Sequence, residues 1–466
     1  MKKLFLAAIA IALVIVGSTG CFGGDAAPPG TEATDNNPDG SSAEASENTS
    51  EGGNTDTTVN RTSDNVLFFY TAQNKIYEEE ENFEKLIGQY IRKKFPDIQI
   101  KHVHWNDGTR YEDLIAKGTI PDIVLEQVRR NTTRMIVRFG MEYDMSDLIK
   151  KYNFDTGALD PAMLGVSKLA SDGKLYSLPF ENDEFVLVYN KDIFDKYGQD
   201  YPHVGMTYEE AYELAKTMTR QDGDVTYKGW QQHPSHYMMY NQLSEPALDP
   251  NDDKASLTTD TWVKIVDNMR RFYEIPGNQF TSTSEFPRGR MAVSVDTLEN
   301  VTKWSREYPD LNFSFGAVPV FPEAPNSKYM PNLNGLFITK QSNKKDLAFQ
   351  VISYLLSEEV QMARAKDALI GPMMNETVVQ AFAQNVPELQ GKDVQNVFAL
   401  KPAVPKARKP GLTFINPNVW GVFQNHIFEE SKDTPTALRL IEEAMTQQID
   451  ETIQLKEAGG DWWKYQ

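Results

Sequence analysis

The sequence predicts an α/β protein large enough for two lobes, and three observations carry that prediction. Apolar runs that read as strands alternate with amphipathic stretches that read as helices from residue 66 onward. The chain has 466 residues, more than one hydrophobic core usually organises. It is 40% hydrophobic and 11% aromatic, enough to fill sizeable cores, and it shows no internal repeat.

The alternation begins at VLFFYTA (66–72), a short apolar run that fits a buried strand. Phe83, Leu86, Ile87, Tyr90 and Ile91 then recur at three- and four-residue steps, which predicts a helix. FPDIQIKHVHW (95–105) reads as a strand, about 110–117 as a helix, and GTIPDIVLEQ (118–127) as a strand. Strand, helix, strand, helix, strand marks an α/β domain with a largely parallel sheet. Further strands are expected at 175–180, 184–190, 291–296, 313–320 and 335–340, and helices at 208–219, 261–273, 344–365 and 434–457. The stretches 221–259 and 366–418 are too long for simple connections and are expected to carry minor elements or line a cleft.

Ahead of all this stands MKKLFLAAIAIALVIVGSTGCFGG. Lys2 and Lys3 precede thirteen apolar residues, Leu4–Val16, too short for a membrane span and suited to a secretory leader. Small residues then lead to Cys21, the single cysteine. The pattern resembles a bacterial lipoprotein signal (residues 1–20), whose cleavage leaves the cysteine as a lipidated N-terminus. Ser18 departs from it, standing where that signal usually carries an aliphatic residue. Residues 22–60 hold eight acidic residues and no Lys or Arg, with almost no apolar area to repay ordering; 21–65 therefore reads as the lipidated cysteine and a hydrated acidic spacer.

The net charge of −19 opposes a nucleic-acid partner, because phosphate recognition wants a basic surface. The first 21 residues carry +2 and the spacer −8, leaving −13 on the rest, an acidity that serves solubility and names no ligand. One cysteine forms no internal disulfide and no CxxC metal or redox site. No G-x-S-x-G, H-E-x-x-H or G-x-x-x-x-G-K-[ST] motif is present.

Three stretches carry a family resemblance. GKLYSLPFENDEFVLVYNKDIFDKYG (173–198), with its Leu187, Val188, Tyr189, Asn190, Phe194 and Gly198, resembles the central signature of the family 1 extracellular solute-binding proteins of ABC transporters, whose best-known members bind maltose and other oligosaccharides. FPRGRMAVSVD (286–296) resembles the family's phenylalanine–glycine–basic–alanine–methionine run, with Met291 and Ala292 in reversed order. LIAKGTIPDIV (114–124) resembles its Pro-Asp-Ile element. The resemblance spans about 66–455 and implies a two-lobed periplasmic-binding-protein-like fold of type II, its lobes joined by crossing hinge segments. By analogy lobe one comprises 66–180 plus 331–395, and lobe two 181–330 plus 396–460. It also implies a monomer without cofactor or metal, held to the outer face of a Gram-positive-type cell membrane through Cys21, that passes a carbohydrate, expected to be an oligosaccharide, to permease subunits.

Sugar recognition needs flat apolar faces for pyranose C–H surfaces and fixed polar groups for hydroxyls. Candidates that follow expected strands are Trp105, Asn106 and Asp107, with an Asn-Asp-Gly helix-capping turn as the plainer reading, and Gln127 with Arg129. Glu181, Asn182 and Asp183 lie past the first crossing, where hinge polarity is the alternative. Trp230, Gln231, Gln232, His233 and His236 form a polar–aromatic cluster in an expected long loop, lacking a third ligand for metal. Asp296 follows a strand, Asn332 and Asn334 lie near the second crossing, and Trp420 offers a platform or core packing. Trp262 and Trp304 sit in helical patterns that favour packing. Pro121 is expected to deliver Asp122 to a strand end. Asp249, Asn251, Asp253 and Asp260 imitate a calcium loop, but Lys254 replaces its glycine, so an acidic turn is expected. A secreted polysaccharide-degrading enzyme using two carboxylates, and a surface adhesion or sensory protein, remain the alternatives to solute capture.

Overall fold

A computed structural model describes residues 65–72, 75–415, 425–430 and 432–465. Cys21, the spacer and Trp420 lie outside the described residues.

Two five-stranded sheets dominate. The strands in chain order are β1 (Val66–Thr71), β2 (Gln99–His104), β3 (Ile123–Gln127), β4 (Ser177–Asn182), β5 (Phe185–Asn190), β6 (Arg220–Asp222), β7 (Val225–Gln232), β8 (Met291–Thr297), β9 (Phe313–Gly316), β10 (Ser327–Lys328), β11 (Leu333–Ile338) and β12 (Lys401–Pro402). The first sheet has the order β2-β1-β3-β11-β4 and the second β6-β7-β8-β5-β9. β1 pairs β2 and β3 in parallel, but β11 runs antiparallel to both β3 and β4. The sheet is thus mixed rather than largely parallel, because β11 returns from the second lobe and inserts between strands already laid down.

That insertion needs a glycine. A Cβ on Gly335 would lie 2.8 Å from Val128 Cγ2 and 2.9 Å from the Ser177 Cβ, so no larger residue fits the wedge. Burial on both faces explains why β1 reads as an unbroken apolar run. Leu67 and Phe69 join Ile123, Leu125, Leu178 and Ile338 in one core, while Phe68 and Tyr70 join Val124, Val128 and Phe337 in another.

The helices that frame the site are α1 (Lys191–Tyr197), α2 (Tyr208–Met218), α3 (Asp260–Glu274), α4 (Leu298–Glu307), α5 (Lys345–Leu355), α6 (Glu358–Lys366) and α7 (Thr434–Glu457). The signature around 187–198 is a strand–cap–helix–stop unit. The Asn190 side chain accepts from the Ile193 amide at 3.1 Å and starts α1. Gly198, at φ 61°, ends it in the left-handed conformation that costs glycine least. α2 opens with a Thr207–Glu210 capping box. The expected helix 344–365 is two helices, because Ser357 turns extended (ψ 153°) and begins α6 anew. The region 221–259 carries elements of its own, as expected: β6, β7 and a short helix, Pro234–Met239.

The chain crosses between the sheets at 183–184, at 329–332 and ahead of Lys392. Lys328 joins all three passages. Its Nζ lies 2.8 Å from Glu184 Oε2 and donates to the Val397 carbonyl at 2.9 Å, with both charged side chains almost fully buried. β10 and β12 pair in parallel beside it, and the Asp183 amide donates to the Asn332 carbonyl at 3.1 Å. The segment before β12 already contacts the second sheet, since the Phe315 amide donates to the Lys392 carbonyl and Ser314 Oγ to Asp393. Burial pushes the Glu184 carboxyl above its ordinary value, although Lys328 and Asn182 pull the other way.

Removing one partner of such a pair leaves a buried charge uncompensated. Lys328→Met is therefore expected to cost about 3–5 kcal/mol at pH 7.5, while Lys328→Met with Glu184→Gln recovers most of it. The single variant's deficit shrinks as pH falls, because the raised Glu184 carboxyl takes a proton first in the folded state. Urea titrations of the three proteins at pH 5 and 7.5 check both statements; a deficit independent of pH overturns the second.

Candidate ligand-binding site

Between the two sheets lies a cavity of about 460 Å3. The first lobe contributes Lys75, Ile76, Glu181, Asn182, Asn334 and the segment Asp367–Ile370; the second contributes Leu298, Glu299, Asn300, Thr302, Lys303 and Arg306 from α4. Asp183, in the crossing itself, lines the seam.

Glu181 organises the floor. It accepts from Tyr77 Oη at 2.5 Å, from Arg364 Nη2 at 2.7 Å and from Asn334 Nδ2 at 3.1 Å. Arg364 is 1% exposed and its guanidinium stands 4.0 Å from the Phe180 ring centroid. The Glu181 charge is thus matched inside the protein, and its work is to fix the Asn334 amide at the cavity wall. Asn182 donates its amide to Glu184 Oε2 at 2.9 Å, whereas its Oδ1 is buried with no protein partner among the described residues. A ligand hydroxyl could satisfy that acceptor.

Asp183 accepts from the Glu299 amide, at the start of α4, at 3.2 Å. Burial, reinforced by the Glu299 charge, pushes its carboxyl up to about 8. Burial also raises Glu299 and Asp296. The cations Lys75, Lys303 and Arg306 are exposed at the rim, where solvent and salt screen them.

The sequence candidates divide. Glu181, Asn182, Asp183 and Asn334 line this cavity. Gln231, His233 and Asp296 line an adjoining one of about 300 Å3 together with Trp304 and Tyr308. Trp304, assigned to packing from the sequence, does both: it is partly buried against the core and also lines the space. Asn300, Trp304 and Tyr308 recur at four-residue steps, a helix-face signal that the sequence carried and the reading missed.

Others go elsewhere. Trp230 and Gln232 lie in β7 rather than a loop and are 3% and 5% exposed. Trp230 packs on Phe272, with centroids 5.0 Å apart, and Gln232 is held by Tyr273 and Tyr329. They are core, not cleft wall. Trp105 is partly buried, Asn106 accommodates the turn through its amide bond to Thr109 Oγ1, and Asp107 pairs with Arg110, so this stretch is the helix-capping turn and lines neither cavity. Gln127 is spent on lobe-to-lobe bonds, donating to Asn332 Oδ1 at 3.0 Å, while Arg129 Nη1 donates to the Met239 carbonyl at 2.7 Å. Asp122 stands at the amino end of β3, accepting from the Phe68 amide and Ser342 Oγ, far in sequence register from the ligand-facing end. His236 is pushed down to about 4 by burial and then by His233. Among the described residues no group of three His, Cys, Asp or Glu could hold a metal ion. In the acidic turn, Asp253 instead accepts from the Thr413 amide at 2.6 Å.

Comparison with known proteins places this geometry. Residues 77–362, more than half of the chain, match the family described as bacterial extracellular solute-binding protein. The sn-glycerol-3-phosphate-binding periplasmic protein UgpB of Yersinia pestis is 24% identical over 319 residues, covering 63% of this chain and 71% of that protein. Among solved structures, an ABC substrate-binding protein from Listeria monocytogenes in complex with cycloalternan superposes with a TM-score of 0.61 at 17% identity, over 85% of this chain and 99% of that one. The sugar-binding protein MalE of Xanthomonas citri gives a TM-score of 0.65 at 15% identity, over 84% and 99%. Both share the two-lobed α/β fold. Among the described residues no helix is long and apolar enough to cross a membrane. The chain belongs to the bacterial extracellular solute-binding proteins, and it is a non-catalytic binding component of an ABC transporter rather than an enzyme.

Proposed function

We propose that this protein captures a carbohydrate in the cavity between its lobes and presents it to an ABC permease, held at the outer membrane face by a lipid on Cys21. The buried wall carries the reading. Among the described residues Asn182 Oδ1 is a buried acceptor without a protein partner, burial raises the Asp183 carboxyl, and the Asn334 amide is oriented by Glu181. Fixed, uncharged donors and acceptors suit neutral hydroxyls, which both donate and accept. The solved neighbours with cycloalternan and the sugar-binding MalE support the same class. Cys21 and its 22–60 spacer suit an anchored module held off a surface.

A glycerol-phosphate-type anion is the second reading. It is favoured by the Yersinia relative and by Lys75, Lys303 and Arg306 at the rim. The two part on electrostatics: an anion held by exposed cations loses affinity steeply with salt, whereas a neutral sugar does not.

Calorimetric titration with mono- and oligosaccharides and with sn-glycerol-3-phosphate, at low and high ionic strength, is expected to give saccharide binding that changes less than about twofold with salt. Tight, salt-sensitive phosphate binding without saccharide binding overturns the carbohydrate reading. Fatty-acid labelling is expected to vanish in Cys21→Ser; labelling that persists sinks the anchor.

Asp183→Asn tests the wall itself. A carboxyl whose folded pKa stands above its unfolded one weakens the fold as pH rises between about 4 and 8. The variant is therefore expected to raise Tm at pH 8 and to match the parent near pH 4. Thermal scans across that range decide; a gain that persists at pH 4 contradicts the assignment.

A further inference from the structure

Lys75 and Ile76 line the interlobe cavity, and Tyr77 donates to Glu181 on its floor. In the chain these residues lie between Thr71, the last of β1, and Glu80, the first of a short helix, Glu80–Phe83. One imidazole on the edge strand β2 holds both ends. His102 Nε2 lies 2.9 Å from Thr71 Oγ1, its Nδ1 lies 2.5 Å from Glu80 Oε2, and its ring stacks on Phe83 with centroids 3.7 Å apart. We propose that His102 is a pH-sensitive positioning residue for this wall: neutral, it clips β1 to the short helix, and a further proton on it loosens the stretch that carries Lys75, Ile76 and Tyr77. Such a clip serves whichever ligand the cavity takes.

Donors and acceptors match here in one orientation. A carboxylate only accepts, so Glu80 fixes the proton of neutral His102 on Nδ1 and leaves Nε2 as an acceptor. Thr71 has one hydroxyl proton and gives it to that nitrogen. Thr71 Oγ1 also lies 3.0 Å from His104 Nδ1, which must then be the donor. The order runs from His104 through Thr71 and His102 to Glu80. A further proton on His102 goes to Nε2, where it meets Thr71 and forces the order to reverse.

The clip is dry where this matters. The His102 side chain is 3% exposed, Thr71 is buried, and Phe83 is steadied by Phe69, with centroids 5.3 Å apart. The charges that face the two imidazoles are Glu80 at His102 and Glu78 at His104. Burial pushes both rings below the ordinary histidine value, against the pull of those carboxylates. A histidine lowered by folding contributes in full, as the neutral ring, above its unfolded value of about 6.5. That contribution is lost as pH falls below it.

Proton positions and backbone protection in the full chain test this. Long-range proton–nitrogen spectra of 15N-histidine-labelled protein, assigned with His102→Gln and His104→Gln, are expected to show both rings protonated at Nδ1 at pH 7.5. In Glu80→Ala, a change at a side chain 63% exposed, His102 is expected to carry its proton on Nε2 instead. A parent His102 protonated at Nε2 overturns the proposal, as does an Nδ1 proton that stays put in Glu80→Ala. Amide exchange over 75–83, corrected for intrinsic rates and referenced to β5, is expected to quicken about tenfold or more in the parent between pH 7.5 and pH 5. Glu80→Ala is expected to exchange at pH 7.5 as the parent does at pH 5. Equal parent protection at both pH values, or a variant that keeps the parent's pH dependence, overturns the clip.

Discussion

Everything in this molecule depends on three strands of chain passing between two sheets without losing their partners. Each passage carries backbone groups and polar side chains through a region too buried for water, where an unpaired group is expensive. Lys328 resolves the problem at one point. A single ammonium group meets the Glu184 carboxylate of the first passage and the Val397 carbonyl of the last, while its own strand pairs with β12. The pair gains little in net free energy, since desolvation opposes its attraction and Glu184 is raised even beside its partner. What it contributes is registry: the three passages have one arrangement in which the charge is satisfied.

That registry sets the binding wall. Asn182, which lines the cavity, donates its amide nitrogen to Glu184, and its Oδ1 is buried without a protein partner among the described residues. Asp183 is next in the chain, tied by its amide to Asn332 on the second passage and by its carboxylate to the start of α4. A ligand at this wall touches groups belonging to both lobes and to the hinge. Its binding therefore biases how the lobes sit, by the differential contacts each arrangement allows.

Much of the fold was legible because the signals are local. VLFFYTA is apolar on both faces since both faces are covered, and TYEEAYELAKTMT announces its own cap at Thr207 and Glu210. β7 was illegible for the opposite reason. VTYKGWQQ has no apolar period, and its last four residues are buried by neighbours distant in sequence, among them Phe272, Tyr273 and Tyr329. Trp230 and Gln232 looked like a binding cluster for that reason alone. The site split along the same line: 181–183, which line the cavity, were candidates because the family resemblance puts polar cleft residues just past the crossing, whereas Trp105–Asp107 had only the chemistry of a turn. Trp304 was passed over because helical spacing was read as a single buried face, although a helix over a cavity edge has a half-buried flank as well.

The unpartnered acceptors give the site its chemical logic. Among the described residues Asn182 Oδ1 and Gln231 Oε1 are buried without a hydrogen-bond partner, and a fully dry, unsatisfied acceptor costs roughly 1–3 kcal/mol. That cost is returned only by a donor at the right place. A ligand lacking one hydroxyl leaves one acceptor bare and forfeits the return, whereas an added methylene in an apolar pocket changes affinity far less. On the proposed carbohydrate reading, discrimination would fall on hydroxyl pattern more than on size. On that proposal, the same groups that cost the empty protein stability would be the ones that make it selective.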